Sequence, residues 1–208
     1  MNSVDNSNGR GIWEWDLVKV ILGLSFVLFA GVLLLGGYTE ESVRKIIRWT
    51  ARIDVFLFCL AFSATALHQW MQNSFSFWLM MNRRYWGVSF AILHLVHLAF
   101  LGLLQWSFHP LFELADGFEL FVGGMAYVFV IVMLLTSFPV FAKPLSRRNW
   151  SRLHTFGGYW IWVVFMSSYW GRTLGGAYFY LPIALMLVLV LLLRLWVWRR
   201  KKMSLKGN

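Results

Sequence analysis

Residues Arg83–Phe100 read RRYWGVSFAILHLVHLAF. Two arginines open the stretch, it turns apolar at once, and two histidines, His94 and His97, sit deep in the apolar run. An i, i+3 spacing puts both rings on one helix face. Polar, ionisable rings within a membrane-length apolar segment are costly and mark function by default. The fold therefore turns on whether this run crosses a bilayer, and the function on what the histidine face holds.

The rest of the chain makes the same demand. Of 208 residues 59% are apolar and only 13% charged, about half the charge of a soluble domain. Charge-free runs recur at Val20–Thr39, Val55–Asn82, Tyr85–Phe112, Leu120–Ala142, Leu153–Gly171 and Thr173–Leu193. Each reaches the ~18–20 residues that span a hydrocarbon core. The expectation is one domain over 1–208, an all-α integral membrane protein. Its six transmembrane helices are expected at about 17–38, 52–71, 84–105, 119–141, 150–170 and 174–197. Little is left for a soluble nucleotide-binding domain, and no G-x-G-x-x-G or P-loop pattern occurs.

The net charge of +10 is read as topology and not as affinity for nucleic acid. With the N-terminus inside, fourteen basic residues fall on inner segments: Arg10, Lys19, Arg83, Arg84, Lys143, Arg147, Arg148, Arg152, Arg194, Arg199, Arg200, Lys201, Lys202 and Lys206. Five fall outside: Arg44, Lys45, Arg48, Arg52 and Arg172. This bias predicts an N-in, C-in protein. The outer stretch Thr39–Arg52 has its apolar residues Val43, Ile46, Ile47 and Trp49 on one helical face and is expected to lie on the outer surface. The basic tail is expected to meet anionic lipid. The single cysteine, Cys59, forms no disulfide within the chain and is read as packing. The first apolar run is expected to be an uncleaved anchor.

Four histidines fall in expected spans: His68, His94, His97 and His154. At ~1.5 Å per residue, His68 and His154 lie at matching shallow depth on the inner side, His97 lies deeper, and His94 lies between. Imidazole is a common axial ligand for haem iron. Gly87, Gly157 and Gly158 remove bulk where a flat macrocycle presses on a helix, or serve helix packing. Arg83, Arg84, Arg148 and Arg152 at the inner rim, and Arg52 and Arg172 at the outer rim, could pair acid groups of such a ligand. A proton relay is disfavoured because no carboxylate is expected inside the membrane; Asp54 and Glu119 are placed at its edges.

The pattern from Arg83-Arg84-Tyr85-Trp86-Gly87 to His97 resembles the third helix of ferric reductase-like transmembrane domains. Within that group it is most similar to the haem-binding membrane subunit of bacterial methionine sulfoxide reductase systems. ESVRKIIRWTAR before helix 2, LTSFPVF at Leu135–Phe141 and RRNWSRLH ending at His154 resemble further motifs of that subunit, in order. The resemblance spans about residues 40–170. It implies a bacterial inner-membrane protein binding one or two haem b groups, with FMN as a further candidate cofactor. Electrons would pass from cytoplasmic reduced flavin or a flavin reductase to a periplasmic redox partner. His97 and His154 become the iron ligands it implies, and His94, His68, Arg83, Arg84 and Arg152 the added candidates for cofactor binding. One departure stands out. The family carries a second histidine thirteen residues after the first on helix 5, and here that position is Ser167, preceded by Met166. Four outcomes stay open: His97 ligates with Met166 or water; His94 helps; a single inner haem is held through His154 and His68; or haem is lost. A haem-free membrane scaffold or carrier and a quinol-linked cytochrome are the alternative functions.

Overall fold

A computed structural model describes residues 14–108 and 117–204. Arg10, Trp13, His109, Glu113, Asp116 and Lys206 lie outside the described residues, as does the Glu119 side chain. Among the described residues the chain is all-α, with no strand. The helices are α1 (Trp15–Gly36), α2 (Glu40–Met71), α3 (Ser74–Met81), α4 (Arg83–Phe108), α5 (Gly117–Leu135), α6 (Pro139–Ala142), α7 (Arg147–Leu174) and α8 (Leu181–Ser204). A 3-10 turn, Tyr178–Tyr180, leads into α8.

Four segments among the described residues are long and apolar enough to cross a membrane: α1, α2, α4 and Tyr178–Ser204. The expected helices 119–141 and 150–170 are present as α5 and α7 but do not meet that mark. The apolar part of α5, Phe121–Leu135, is short, and α7 opens on Arg147, Arg148, Asn149, Ser151 and Arg152. Large apolar side chains face outward, with Leu34 85%, Leu35 93% and Leu189 65% exposed. Exposed apolar faces of this extent mark surfaces that meet a membrane or a partner, and with four helices of spanning length they suit a bilayer.

Several expected boundaries are corrected. Thr39–Arg52 does not lie on the surface as a separate segment; from Glu40 it is the first part of α2. The Thr39 side chain caps that helix, accepting from the Ser42 amide at 3.2 Å, and Glu40 and Glu41 occupy its first turn. Both features favour a helix start. From there α2 runs unbroken for 32 residues. Val43, Ile46 and Thr50 are fully buried, because they continue the inward stripe of Asp54, Leu57 and Phe58. The helix expected to 141 ends at Leu135, since Pro139 lacks an N–H and cannot sit in a helix interior; it opens the short α6 instead. The last helix begins at Leu181 rather than 174, after a turn in which Gly176 takes a φ of 92° that glycine adopts freely.

Helix α2 is the centre, packed on α1, α3, α4 and α8, while α4, α5, α7 and α8 complete a circuit around it. Helices α2 and α4 run antiparallel, as do α7 and α8, whereas α1 runs parallel to α4 and α2 parallel to α8. Between α2 and α4 the contacts Thr50–His97, Asp54–His94, Phe58–Phe90 and Thr65–Arg83 form successive rungs. Between α7 and α8 they are Tyr169–Tyr180, Trp162–Leu187 and Tyr159–Arg194. One end of the bundle thus gathers Arg83, Arg84, His154 and Arg194. At the other end, Arg52 lies over the Phe179 ring and Arg172 over Tyr169 and Tyr180.

Candidate functional site

The antiparallel rungs sort the candidate residues into two groups. The first surrounds a cavity of about 470 Å³ at the arginine-bearing end, within the ~300–1,000 Å³ range of small-molecule sites. Phe58, Phe62, Phe90 and Ile161 wall it, Gly87 and Gly158 flatten it, and Arg83, Arg84 and Arg194 bring charge to it. His154 is the one histidine on its wall.

Local contacts hold His154 in place. Its ring stacks on Trp150, one turn earlier on α7, with centroids 4.0 Å apart. Its Nε2 lies 3.0 Å from Thr136 Oγ1. The single hydroxyl proton of Thr136 goes to the Val132 carbonyl at 2.7 Å. The hydrogen-bond network therefore assigns the His154 proton to Nε2, donating to Thr136, and the lone pair to Nδ1.

The glycines divide by role. A Cβ on Gly157 would fall 2.6 Å from Met133 Sδ and 3.1 Å from Phe129 Cδ1, so Gly157 serves contact between α5 and α7. A Cβ on Gly158 would meet the Phe62 ring at 3.2 Å, whereas one on Gly87 would meet nothing within 4 Å.

The second group lies farther along α2 and α4. His94 Nδ1 is 3.0 Å from Asp54 Oδ2, and His97 Nδ1 is 2.7 Å from Thr50 Oγ1. Asp54 is fully buried among the helices, so the bundle interior does contain a carboxylate. Its Oδ1 has no partner. The carboxylate accepts from His94 Nδ1–H. Thr50 spends its hydroxyl proton on the carbonyls of Ile46 or Ile47, at 3.1 and 2.9 Å, and accepts from His97 Nδ1–H. In the neutral tautomers that these two bonds orient, Nε2 of each ring carries the lone pair. The rings lie nearly parallel, 10° apart with centroids at 5.7 Å, and Tyr127 stacks on His94 at 4.7 Å.

The remaining candidates fall elsewhere. His68 is not on the cavity wall; its Nδ1 meets Ser76 Oγ of α3 at 3.1 Å and its ring meets Phe77. Arg152 is exposed and does not line the cavity. Met166 is half-buried, and Ser167 is exposed with its hydroxyl bonded to the Val164 carbonyl. Sequence reasoning missed Thr50, Tyr127, Thr136 and the inward turn of Arg194. The continuous stripe Val43, Ile46, Thr50, Asp54, Leu57 was the available signal for Thr50 and Asp54. Nothing comparable pointed to Tyr127.

Among the described residues no group of three or more His, Cys, Asp or Glu side chains could hold a bare metal ion. A porphyrin iron asks less, since the macrocycle supplies four nitrogens and the protein one or two axial ligands. No family model matches the chain, nor does any curated protein or solved structure.

Proposed function

We propose that this chain is a membrane haem b protein of the ferric reductase-like kind, carrying electrons from a cytoplasmic flavin or flavin reductase across a bacterial inner membrane to an outer-side acceptor. The observation that carries the reading is the inner cavity, which combines one imidazole, a flat glycine face, aromatic walls and three arginines. In this reading α5 and α7 complete six crossings with both termini inside, supported by the antiparallel rungs and by the excess of basic residues at the cavity end.

The residues fit one haem at the inner level. His154 would hold the iron, Phe58, Phe62, Phe90 and Ile161 would cover the apolar macrocycle, and Arg83, Arg84 and Arg194 would pair its acid groups. Binding through Nε2 requires His154 to give up its bond to Thr136; binding through Nδ1 does not. The haem supplies a one-electron couple whose potential depends on its axial ligand and the burial around it. The chain's own part is to hold that group dry, orient it through the Trp150 stack, and fix its distance from the donor side. His97, the outer ligand implied by the resemblance, is held by Thr50 with Nε2 bare. In this reading it marks the outward route and belongs to no second haem, because Ser167 faces away from it.

The test is a pyridine haemochrome assay with an iron count on the purified chain. One haem per chain is expected, lost by about tenfold or more in His154→Ala and kept in His68→Ala and His109→Ala. A preparation without a Soret band overturns the reading.

A further inference from the structure

The inner cavity carries an imbalance of charge. Arg83, Arg84 and Arg194 all line it, and no Asp or Glu does. None of the three forms an ion pair with a carboxylate among the described residues. Arg83 donates to the Thr65 hydroxyl at 2.8 Å and Arg84 lies over Tyr85; both are exposed at the rim, where water serves them. Arg194 is different. It enters from an apolar run of α8, only half-exposed, and its guanidinium covers the Phe62 ring at 4.0 Å. Its Nη1 donates to the Phe62 carbonyl and its Nε reaches the Tyr159 hydroxyl at 3.5 Å. No protein acceptor meets Nη2 among the described residues. A guanidinium has five N–H donors and keeps its charge under all ordinary conditions. Placed beside a cavity in a membrane bundle, it calls for an anion.

We infer that Arg194 is the inner clamp for an acid group on the cavity's occupant, so that the site selects an amphiphilic anion, a flat apolar body bearing carboxylate or sulfonate groups, over its uncharged analogue. This rests on the proposed function only for the identity of the anion as haem. It disfavours a neutral quinol in this cavity.

The experiment compares acid and neutral partners of one shape on the purified full chain. Haem is paired with haem dimethyl ester, and 1-anilinonaphthalene-8-sulfonate with uncharged N-phenyl-1-naphthylamine. The wild type is expected to prefer the acid by about 10- to 100-fold, the scale of one charge-assisted hydrogen bond. R194Q is expected to lose most of that preference. R194K keeps the charge without the planar fork and should lose part of it. Equal binding of acid and ester, or a preference unchanged in both variants, overturns the inference. Haem and its ester bound equally would leave the haem reading standing without the clamp. Sulfonate preference in a chain that binds no haem would leave the clamp standing without the haem.

Discussion

Asp54 and His94 meet inside the bundle, Oδ2 to Nδ1 at 3.0 Å, with the carboxylate fully buried and its second oxygen unpartnered. A buried polar group is tolerated when it is paired and expensive when it is not. The pair therefore joins α2 to α4 at the depth where the bundle can least accept a loose end.

Removing the acceptor strands the imidazole N–H. Asp54→Ala is expected to cost about 1–3 kcal/mol, and Asp54→Asn less, because the amide oxygen still accepts. Thermal unfolding in detergent measures both. Equal losses would show that the hydrogen bond is not what the carboxylate contributes.

Two glycines should respond in opposite senses. Gly157→Ala drives a methyl against Met133 Sδ and Phe129 and should cost about 1–3 kcal/mol, as overpacking does. Gly87→Ala meets open space and should be neutral or gain up to about 1 kcal/mol from helix propensity. The same unfolding measurement separates them.

Under the proposed haem reading, a histidine at position 167, where ferric reductase-like domains carry one, should not add a second haem. Ser167 is exposed on α7, while Ile161, Phe165 and Tyr169 hold the inward face. Ser167→His is expected to leave the haem-to-protein ratio unchanged in the haemochrome assay; a doubled ratio would mean that α7 turns in the membrane.

The crossing pattern can be read with thiol labels. Cys59 is 3% exposed, so an impermeant maleimide should leave the wild type unmodified in intact spheroplasts. Lys45→Cys at the start of α2 should be labelled there, and Lys201→Cys at the end of α8 only after the membrane is opened. Labelling of both without opening would refute the N-in, C-in arrangement.

The helices were legible because charge-free length is a direct reading of what oil tolerates. The shape of α2 was not. Arg44, Lys45, Arg48 and Arg52 look like the end of the membrane, and by that measure Asp54 belongs at an edge. Long basic side chains, however, reach away from the surface their stems cover, so charge marks where heads end up and not where a helix stops. The inward stripe from Val43 through Thr50 to Leu57 carried the better signal. At the cavity, His154, Arg83 and Arg84 were already candidates in the sequence, and the fold brings the three to one wall. Arg194 read as one more anchoring charge, because only packing against Phe62 and Tyr159 turns it inward. Depth alone matched His68 to His154, but depth does not say which way a ring points, and His68 points at α3.

Helix α2 contains neither glycine nor proline from Glu40 to Met71, so it has no built-in hinge. At ~1.5 Å per residue its 32 residues measure ~48 Å, well beyond a ~30 Å hydrocarbon core. Its first turns, laced by Arg44–Glu40 and Lys45–Glu41 pairs, form a stub of the same rod that carries Thr50 and Asp54. Whatever leans on that stub tilts the holders of both imidazoles together, which makes that end of the molecule a lever on its interior.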